Sequence, residues 1–385
     1  MRLRDSDKVK TANGDLVYKR IVAKFGTSLL TGGSKSLDPK MTANLVNQLA
    51  LLHNDGKELA VVTSGAMASG KQKLGLQKKI RGIPYKQVLS SVGQTHLMYT
   101  YESLFNLHDI TIAQALLTRA VLCDRAGYLN ARNTLLALIE LGVISIINEN
   151  DVVAIDEIKG ARFGDNDNLS AMVANLVDAD LLIILSDISG LYTADPGVNP
   201  NAILIPEVKK IDDSIFSLAG GSRGGLGTGG MLTKLQAARM ATACGITVII
   251  AKGDEPDILL RLAKGETIGT KFLPANSRME SRERWLMAGL SVKGKLIVDA
   301  GASEALKKQN GSLLGAGIIE VEGIFGRGDM LDIFDSKGNR LGSGITNYSS
   351  DDVDKIKGVH SRNIAGILGY DFGSEIIHRN NLVIL

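Results

Sequence analysis

Cysteine and histidine are scarce in this chain of 385 residues. The two cysteines, Cys123 and Cys244, stand far apart in apolar surroundings. That excludes a disulfide framework and predicts two reduced thiols in the core of a cytoplasmic protein. The five histidines, His53, His96, His108, His360 and His378, are scattered. No two of them share a metal-ligand spacing, and none lies near Ser64 in sequence, so neither a histidine-based metal site nor Ser–His nucleophilic catalysis has support. No apolar run approaches the roughly 18 residues of a membrane span. The start, Met1 to Asp5, is charged and has no apolar stretch, so no signal peptide is expected. An excess of one charge is also missing: Lys and Arg number 44, Asp and Glu 41, for a net charge of +3. Such a balance predicts neither nucleic acid nor an anionic membrane as partner.

Glycine, by contrast, is abundant, at 43 residues. Many of these glycines fall in four polar loops: Thr63-Ser64-Gly65-Ala66, Asn148-Glu149-Asn150-Asp151, Gly164-Asp165-Asn166-Asp167-Asn168, and Gly227 to Lys234. The first two directly follow apolar, β-rich runs, and the last opens a helical pattern. Ligands of an open α/β sheet bind where strands end and helices begin. Loops of this kind near one edge would hold a polyanion, a metal ion and a small polar substrate together, which points to phosphoryl transfer on a small molecule.

The length predicts two domains. Residues 1–19 read as a loose extension. Over 20–270, strands (20–25, 59–62, 110–116, 143–147, 181–185, 247–250) alternate with helical patterns (39–54, 86–107, 124–141, 168–177, 230–243). This alternation predicts an α/β fold, a mostly parallel sheet sandwiched by helices. Residues 271–291 are mixed and charged and read as a linker. Over 292–385 the candidate strands are short, with Gly turns and no long helical pattern, which predicts a smaller β-rich domain. No internal repeat is present.

Lys24 interrupts an apolar strand just before Gly26-Thr27-Ser28, so it either reaches out to solvent or meets an anion; at the carboxyl end of a strand, a transferring phosphate is the better partner. Gly225 to Gly230 fits the dinucleotide spacing G-x-G-x-x-G, but no apolar strand precedes it, and no Gly-Lys-Ser/Thr follows to make a P-loop. What survives is a Gly-rich loop leading into a helix with Thr228-Gly229-Gly230 as its first turn. The free amides there favour phosphate, and Lys234 lies about one turn further in. Asp151, Asp165 and Asp167 cluster with Asn148, Asn150, Asn166 and Asn168. Calcium is one reading, although the loop lacks the Gly and distal Glu of an EF-hand. The other is an amino-acid substrate, its ammonium paired with Asp and its carboxylate with Asn. Ser186-Asp187 ends an apolar strand and would face the nucleotide or a metal ion, whose ligands the sequence leaves open. Lysines and backbone amides without an evident base suit a carboxylate acceptor, which is already deprotonated at neutral pH.

These motifs, with Lys24 to Ser28, Val62 to Ala66, Ile147 to Asp151, Gly164 to Ala171, Gly190 to Pro196 and Gly225 to Lys234, resemble the amino-acid kinase family. Within it, the set of loops is similar to that of the bacterial glutamate 5-kinases. The resemblance implies ATP-dependent phosphorylation of the γ-carboxylate of L-glutamate with Mg²⁺, the first step of proline biosynthesis. It further implies proline as feedback inhibitor, glutamyl phosphate reductase as a possible partner, and a homo-oligomer in the cytoplasm. Carried onto this chain, Lys24 and Lys234 would stabilise the transferring phosphoryl, and Asp167 would organise the two lysines. Ser64, Asp151 and Asn166 would bind glutamate. Lys24, Ser186, Asp187, Thr228, Gly229, Gly230, Met231, Leu232, Thr233 and Lys234 would bind ATP. Ser186 stands where the family more often has Thr and keeps the hydroxyl.

The C-terminal part resembles a PUA domain through Gly311 to Leu314, Phe325 to Asp329 and Ile367 to Tyr370. PUA domains often bind RNA, yet residues 292–385 carry 11 Lys and Arg against 12 Asp and Glu, a balance that argues for a structural or regulatory role. Two alternatives stand beside the glutamate reading. One is an RNA-binding protein with the kinase-like domain as scaffold; the other is a kinase of a related carboxylate such as N-acetylglutamate. A dinucleotide oxidoreductase is disfavoured by the missing strand before Gly225.

Overall fold

Five apolar runs set the centre of the molecule: β1 (Arg20–Phe25), β2 (Glu58–Val62), β4 (Ile144–Glu149), β5 (Leu181–Ser186) and β7 (Thr247–Lys252). Their interior residues are almost all buried, as expected of parallel strands covered on both faces. With β3 (Ile112–Leu117), β6 (Glu207–Val208) and β8 (Thr270–Phe272) they form one sheet in the order β3-β4-β2-β1-β5-β7-β8-β6. Every pair is parallel except β7–β8. The computed structural model describes residues 18–34, 36–75, 82–154, 166–219, 230–274, 292–309 and 311–384. Most of the expected extension, most of the linker and the Gly-rich stretch 220–229 lie outside the described residues.

Ten helices accompany this sheet among the described residues: α1 (Thr27–Thr31), α2 (Pro39–Asn54), α3 (Ala66–Lys73), α4 (Ile83–Asn106), α5 (Arg119–Cys123), α6 (Arg125–Glu140), α7 (Asn166–Leu176), α8 (Asp213–Ala219), α9 (Met231–Ala243) and α10 (Ile258–Ala263). The start of α2 shows why the chain turns helical where it does: the Asp38 side chain accepts hydrogen bonds from the Lys40 and Met41 amides, and Pro39 takes the first position, where no amide proton is needed.

Alternation along the strands decides which side chain meets which layer. Ile21, Ala23 and Phe25 of β1 share one core with Leu59, Val61, Leu181, Ile183 and the buried faces of α2, α4 and α10. Val22 and Lys24 point to the opposite face, where α7 packs against β1, β2, β4 and β5. The chain runs from β1 to β2 and β4 on one side and to β5 and β7 on the other. The strand order therefore reverses at β1, and Lys24 stands at that switch point, between Val62 and Ile184.

One compact unit comprises Met1–Leu122 and Ala131–Arg278; the other comprises Cys123–Asn130 and Met279–Leu385. The expected boundaries differ from this in two places. β8 carries the sheet to Phe272, past residue 270. Residues 123–130 join the second unit because Leu129 packs with Met330, Ile345 and Val383, and Arg125 pairs with Asp329 at 2.6 Å. The second unit is β-rich. It has a five-stranded sheet in the order β11 (Ile318–Gly323), β9 (Val292–Val298), β12 (Met330–Asp335), β13 (Arg340–Ile345), β15 (Leu382–Ile384), and a short pair of β10 (Leu313–Leu314) with β14 (Glu375–Ile377). Its core gathers Leu296, Val298, Leu331, Ile333, Tyr348 and Ile376. It also contains a helix at Ala300–Gln309, where a turn-rich region was expected.

Both cysteines are free, but Cys123 is exposed and Cys244 only partly buried, so neither is the core residue expected. Cys123 ends α5, of which only Leu122 is buried. Among the described residues, no helix is long and apolar enough to cross a membrane.

Candidate active site

Lys24 is 97% buried, and its Nζ lies 2.5 Å from Asp167 Oδ1. Lys234, closing the first turn of α9, reaches the other carboxylate oxygen at 3.2 Å, and Thr233 Oγ1 donates to the same oxygen at 2.9 Å. One buried carboxylate thus bridges two buried lysines drawn from the end of β1 and the start of α9. Burial by itself would raise the pKa of Asp167. The charges of Lys24 and Lys234, with hydrogen bonds from Lys24 and Thr233, outweigh it and hold the carboxyl at about 2. Asp167 is therefore an anion at neutral pH with both oxygens engaged, and the pair of lysines is pinned in place.

The helix that presents Asp167 is anchored at its far end. Arg132 donates to the Leu176 carbonyl and pairs with Asp178 at 2.6 Å, while Arg20 donates to the Val177 carbonyl. Two guanidinium groups thus satisfy carbonyls at the negative end of α7.

A second cluster begins one residue earlier. Asn166 Nδ2 lies 3.0 Å from the Thr63 carbonyl, 2.9 Å from Ser64 Oγ and 3.1 Å from Asn148 Oδ1. Asn148 Oδ1 also accepts from the Glu149 amide at 2.9 Å, and its Nδ2 donates to Gln94 Oε1 on α4 at 2.8 Å. Thr63 Oγ1 meets the buried Tyr101 hydroxyl at 2.9 Å. Asp151 is buried, which raises its pKa; the Ser90 hydroxyl nearby favours the charged form. Asp151 Oδ1, Asn166 Oδ1 and Gln94 Nε2 are buried without a hydrogen-bond partner.

The structure thus joins Lys24, Asp167, Thr233 and Lys234 in one network, and Ser64 and Asn166 in a second. Asn166 was expected to serve a substrate carboxylate as donor. Its nitrogen is instead shared among three protein acceptors, and the atom it leaves free is an acceptor. Ser186 Oγ donates to Asp187 Oδ1 at 2.9 Å at the end of β5, beside β1. Helix α9 starts at Met231 with Gly230 as its cap, rather than taking Gly230 into its first turn. Gly230 is exposed and Met231 and Leu232 are half-buried. Thr228, Gly229 and Asp165 lie outside the described residues. Gln94, Ser90 and Tyr101 carried no motif in the sequence; only helical spacing from Ser90 to Gln94 to Met98 marks one face of α4.

The placement of α4 depends on two glycines. A Cβ on Gly93 would stand 1.7 Å from the Ala66 carbonyl oxygen, and one on Gly70 would stand 1.9 Å from the Leu89 carbonyl oxygen. Helices α3 and α4 therefore cross backbone to backbone, which fixes α4 where Gln94 meets Asn148 in β4 and Ser90 lies beside Asp151 just after it.

The sequence pattern of the Amino acid kinase family matches residues 19–252. The chain belongs to the amino acid kinase family. In this amino acid kinase, the pattern of the PUA domain also matches, over residues 294–368. Curated relatives are similar along nearly the whole chain. The protein named "Glutamate 5-kinase" from Dehalococcoides mccartyi (strain CBDB1) is 57% identical over 368 residues, 96% of this chain and 99% of that protein. Its namesake from Photobacterium profundum is 50% identical over 365 residues, 95% and 96% of the two chains. A third, from Herpetosiphon aurantiacus, is 49% identical over 367 residues, 95% and 98%.

Proposed function

We propose that this amino acid kinase transfers the γ-phosphoryl group of ATP to the γ-carboxylate of L-glutamate, giving L-glutamyl 5-phosphate, the first step of proline biosynthesis. The observation that carries the reading is the bridge Lys24–Asp167–Lys234, two buried cations fixed by one carboxylate at the switch point of the sheet. A γ-carboxylate oxygen attacks the γ-phosphorus, the bond to the β-phosphate oxygen breaks, and ADP leaves with its electron pair. No proton moves. Asp167 would be a poor base, since both its oxygens are engaged and its pKa is about 2. Its role is to hold the lysines, which stabilise the charge spread over the transferring group.

ATP would lie against Ser186 and Asp187 at the end of β5 and against the start of α9, where Thr228, Gly229, Gly230, Met231, Leu232, Thr233 and Lys234 follow one another. Mg²⁺ would supply charge neutralisation on the phosphates; such an ion keeps several waters and needs one or two carboxylates beside the phosphate oxygens. Asp187 is exposed on the same sheet edge and fits that need, whereas Asp167 has no oxygen to spare.

The acceptor pocket favours a free amine. Asp151 Oδ1 and Asn166 Oδ1 are buried acceptors without partners, and an ammonium supplies the donors and the charge they lack. The acetylated amine of N-acetylglutamate supplies neither in equal measure, so glutamate is the preferred acceptor. For the second unit, its near-neutral charge supports a structural or regulatory role over RNA binding.

The test is hydroxamate formation from ATP, Mg²⁺ and hydroxylamine with L-glutamate, L-aspartate or N-acetyl-L-glutamate, each with and without L-proline. Signal with L-glutamate alone, suppressed by proline, is expected. No signal with any of the three would sink the reading.

A further inference from the structure

We infer that Gln94 is a specificity-determining residue of the acceptor pocket: its Nε2 donates to the α-carboxylate of the amino-acid acceptor, opposite the two free acceptors that take its ammonium. The inference rests on the proposed function in taking an amino acid as acceptor, and concerns a residue on α4 rather than on any of the polar loops.

The direction of each side-chain amide is set by backbone groups that have no choice of role. The Thr63 carbonyl can only accept, so the atom of Asn166 placed 3.0 Å from it is the nitrogen, and Oδ1 faces the other way. The Glu149 amide can only donate, so the atom of Asn148 placed 2.9 Å from it is Oδ1. Asn148 must then offer its nitrogen to Gln94, and Gln94 must answer with Oε1, at 2.8 Å. Three amides are thereby oriented in sequence, and the last is left with Nε2 buried and without a partner. Gln94 is 91% buried. A buried donor in that state is destabilising if nothing ever meets it.

The partner it awaits can be read from its surroundings. Ser90 stands one helical turn before Gln94, is buried on the same face of α4, and its hydroxyl neighbours Asp151. At the other end of the relay is Asn166. Asp151 Oδ1 and Asn166 Oδ1 are also buried without partners. Ser90 Oγ, also buried without a partner, can serve either ion, and around it one unused donor and two unused acceptors are the complement of a zwitterionic head, a carboxylate beside an ammonium. The Gly70–Gly93 crossing fixes the backbone next to Gln94, so the donor is held in position before the substrate arrives.

The two ends of Gln94 can be separated. Gln94→Glu keeps an oxygen for Asn148 and removes the donor, and Gln94→Met removes both without adding charge. Each variant would be compared with wild type on L-glutamate and on its α-amide, L-isoglutamine, as substrate or competitive inhibitor, with folding followed by thermal melting. For Gln94→Glu, the preference for glutamate over isoglutamine is expected to fall on the order of 100-fold or more, because an acceptor now faces the α-group, with the KM for ATP little changed. For Gln94→Met, the same preference should fall about 10-fold or more. A preference within about 3-fold of wild type in whichever variant folds overturns the inference, as does an equal loss on both acceptors, which would leave Gln94 as a support for Asn148 alone. Should wild type itself not turn over glutamate, the functional reading fails first. Calorimetric binding of L-glutamate and isoglutamine to wild type and variants then decides Gln94 separately by the same ratio.

Discussion

Among the described residues, both units carry exposed ion pairs, such as Lys252–Asp254 in the first, but they differ in the pairs they bury. In the first, Lys24, Asp167 and Lys234 have side chains between 0% and 6% exposed and lie in one network. In the second, the ion pairs sit at the surface: Lys295–Glu322 at 2.9 Å, Arg340–Asp332 at 2.7 Å and Lys357–Asp354 at 2.6 Å, with at least one partner of each more than a third exposed. Burying a charge pair is costly, and a hydrophobic replacement often does as well or better for stability. A surface pair contributes from nothing to about 1 kcal/mol. The buried bridge is therefore poorly explained as scaffolding and well explained as preorganised cation for a reaction, whereas the surface pairs need no function.

The contrast is broken most sharply at its centre. Asp167→Asn should lower turnover on the order of 1000-fold and destabilise the first unit by about 3–5 kcal/mol, because two lysines are left buried without their counter-ion. Hydroxamate rate and urea unfolding would measure the two effects. Lys234→Ala should lower kcat on the order of 100-fold to 1000-fold while changing the KM for glutamate only a few-fold, since its charge serves the transition state. An unchanged kcat would remove it from the mechanism. Gly93→Ala is expected to destabilise by about 3 kcal/mol and to raise the KM for glutamate along with it, because the Cβ forces α3 and α4 apart.

Acid separates the units more gently. Asp167 has a lowered pKa, so its contribution is fully present above the unfolded-state value near 4 and is lost as pH falls through about 2. Roughly 2–3 kcal/mol should disappear across that window, and Asp167→Asn should flatten this part of the stability curve measured by urea titration. At the small end, Lys295→Ala should change stability by less than about 1 kcal/mol, and less still at high salt. A larger loss there would erase the distinction between the two kinds of ion pair.

The part of this arrangement that could be read from sequence is the part written in short range. Runs such as Leu181 to Leu185 are too apolar for anything but a buried strand, and Lys24 stands out because it interrupts one. Asp167 and Asn166 were visible as polar residues after a turn, but their division of labour was not, since it depends on which neighbours already satisfy each atom. Gln94 was invisible because, mid-helix, nothing nearby in sequence distinguishes it from a solvated face; its meaning comes from Asn148, 54 positions away. The helix Ala300–Gln309 was missed because its apolar positions are few and a Gly lies near its start. Cys123 was misplaced because an apolar sequence neighbourhood does not say which face of a single helical turn looks outward.

Asn166 and Asp167 are consecutive, and they belong to different networks: one meets Thr63 and Ser64, the other holds Lys24 and Lys234, which in the proposed reaction are the acceptor and donor sides. Their α-carbons are joined by a single trans peptide, about 3.8 Å long. The two half-sites are thus separated by a ruler made of covalent bonds, which neither heat nor a shift of side chains can stretch. Loops at either end can move to admit substrate without changing the gauge between them, and an insertion anywhere except between these two residues leaves that gauge intact.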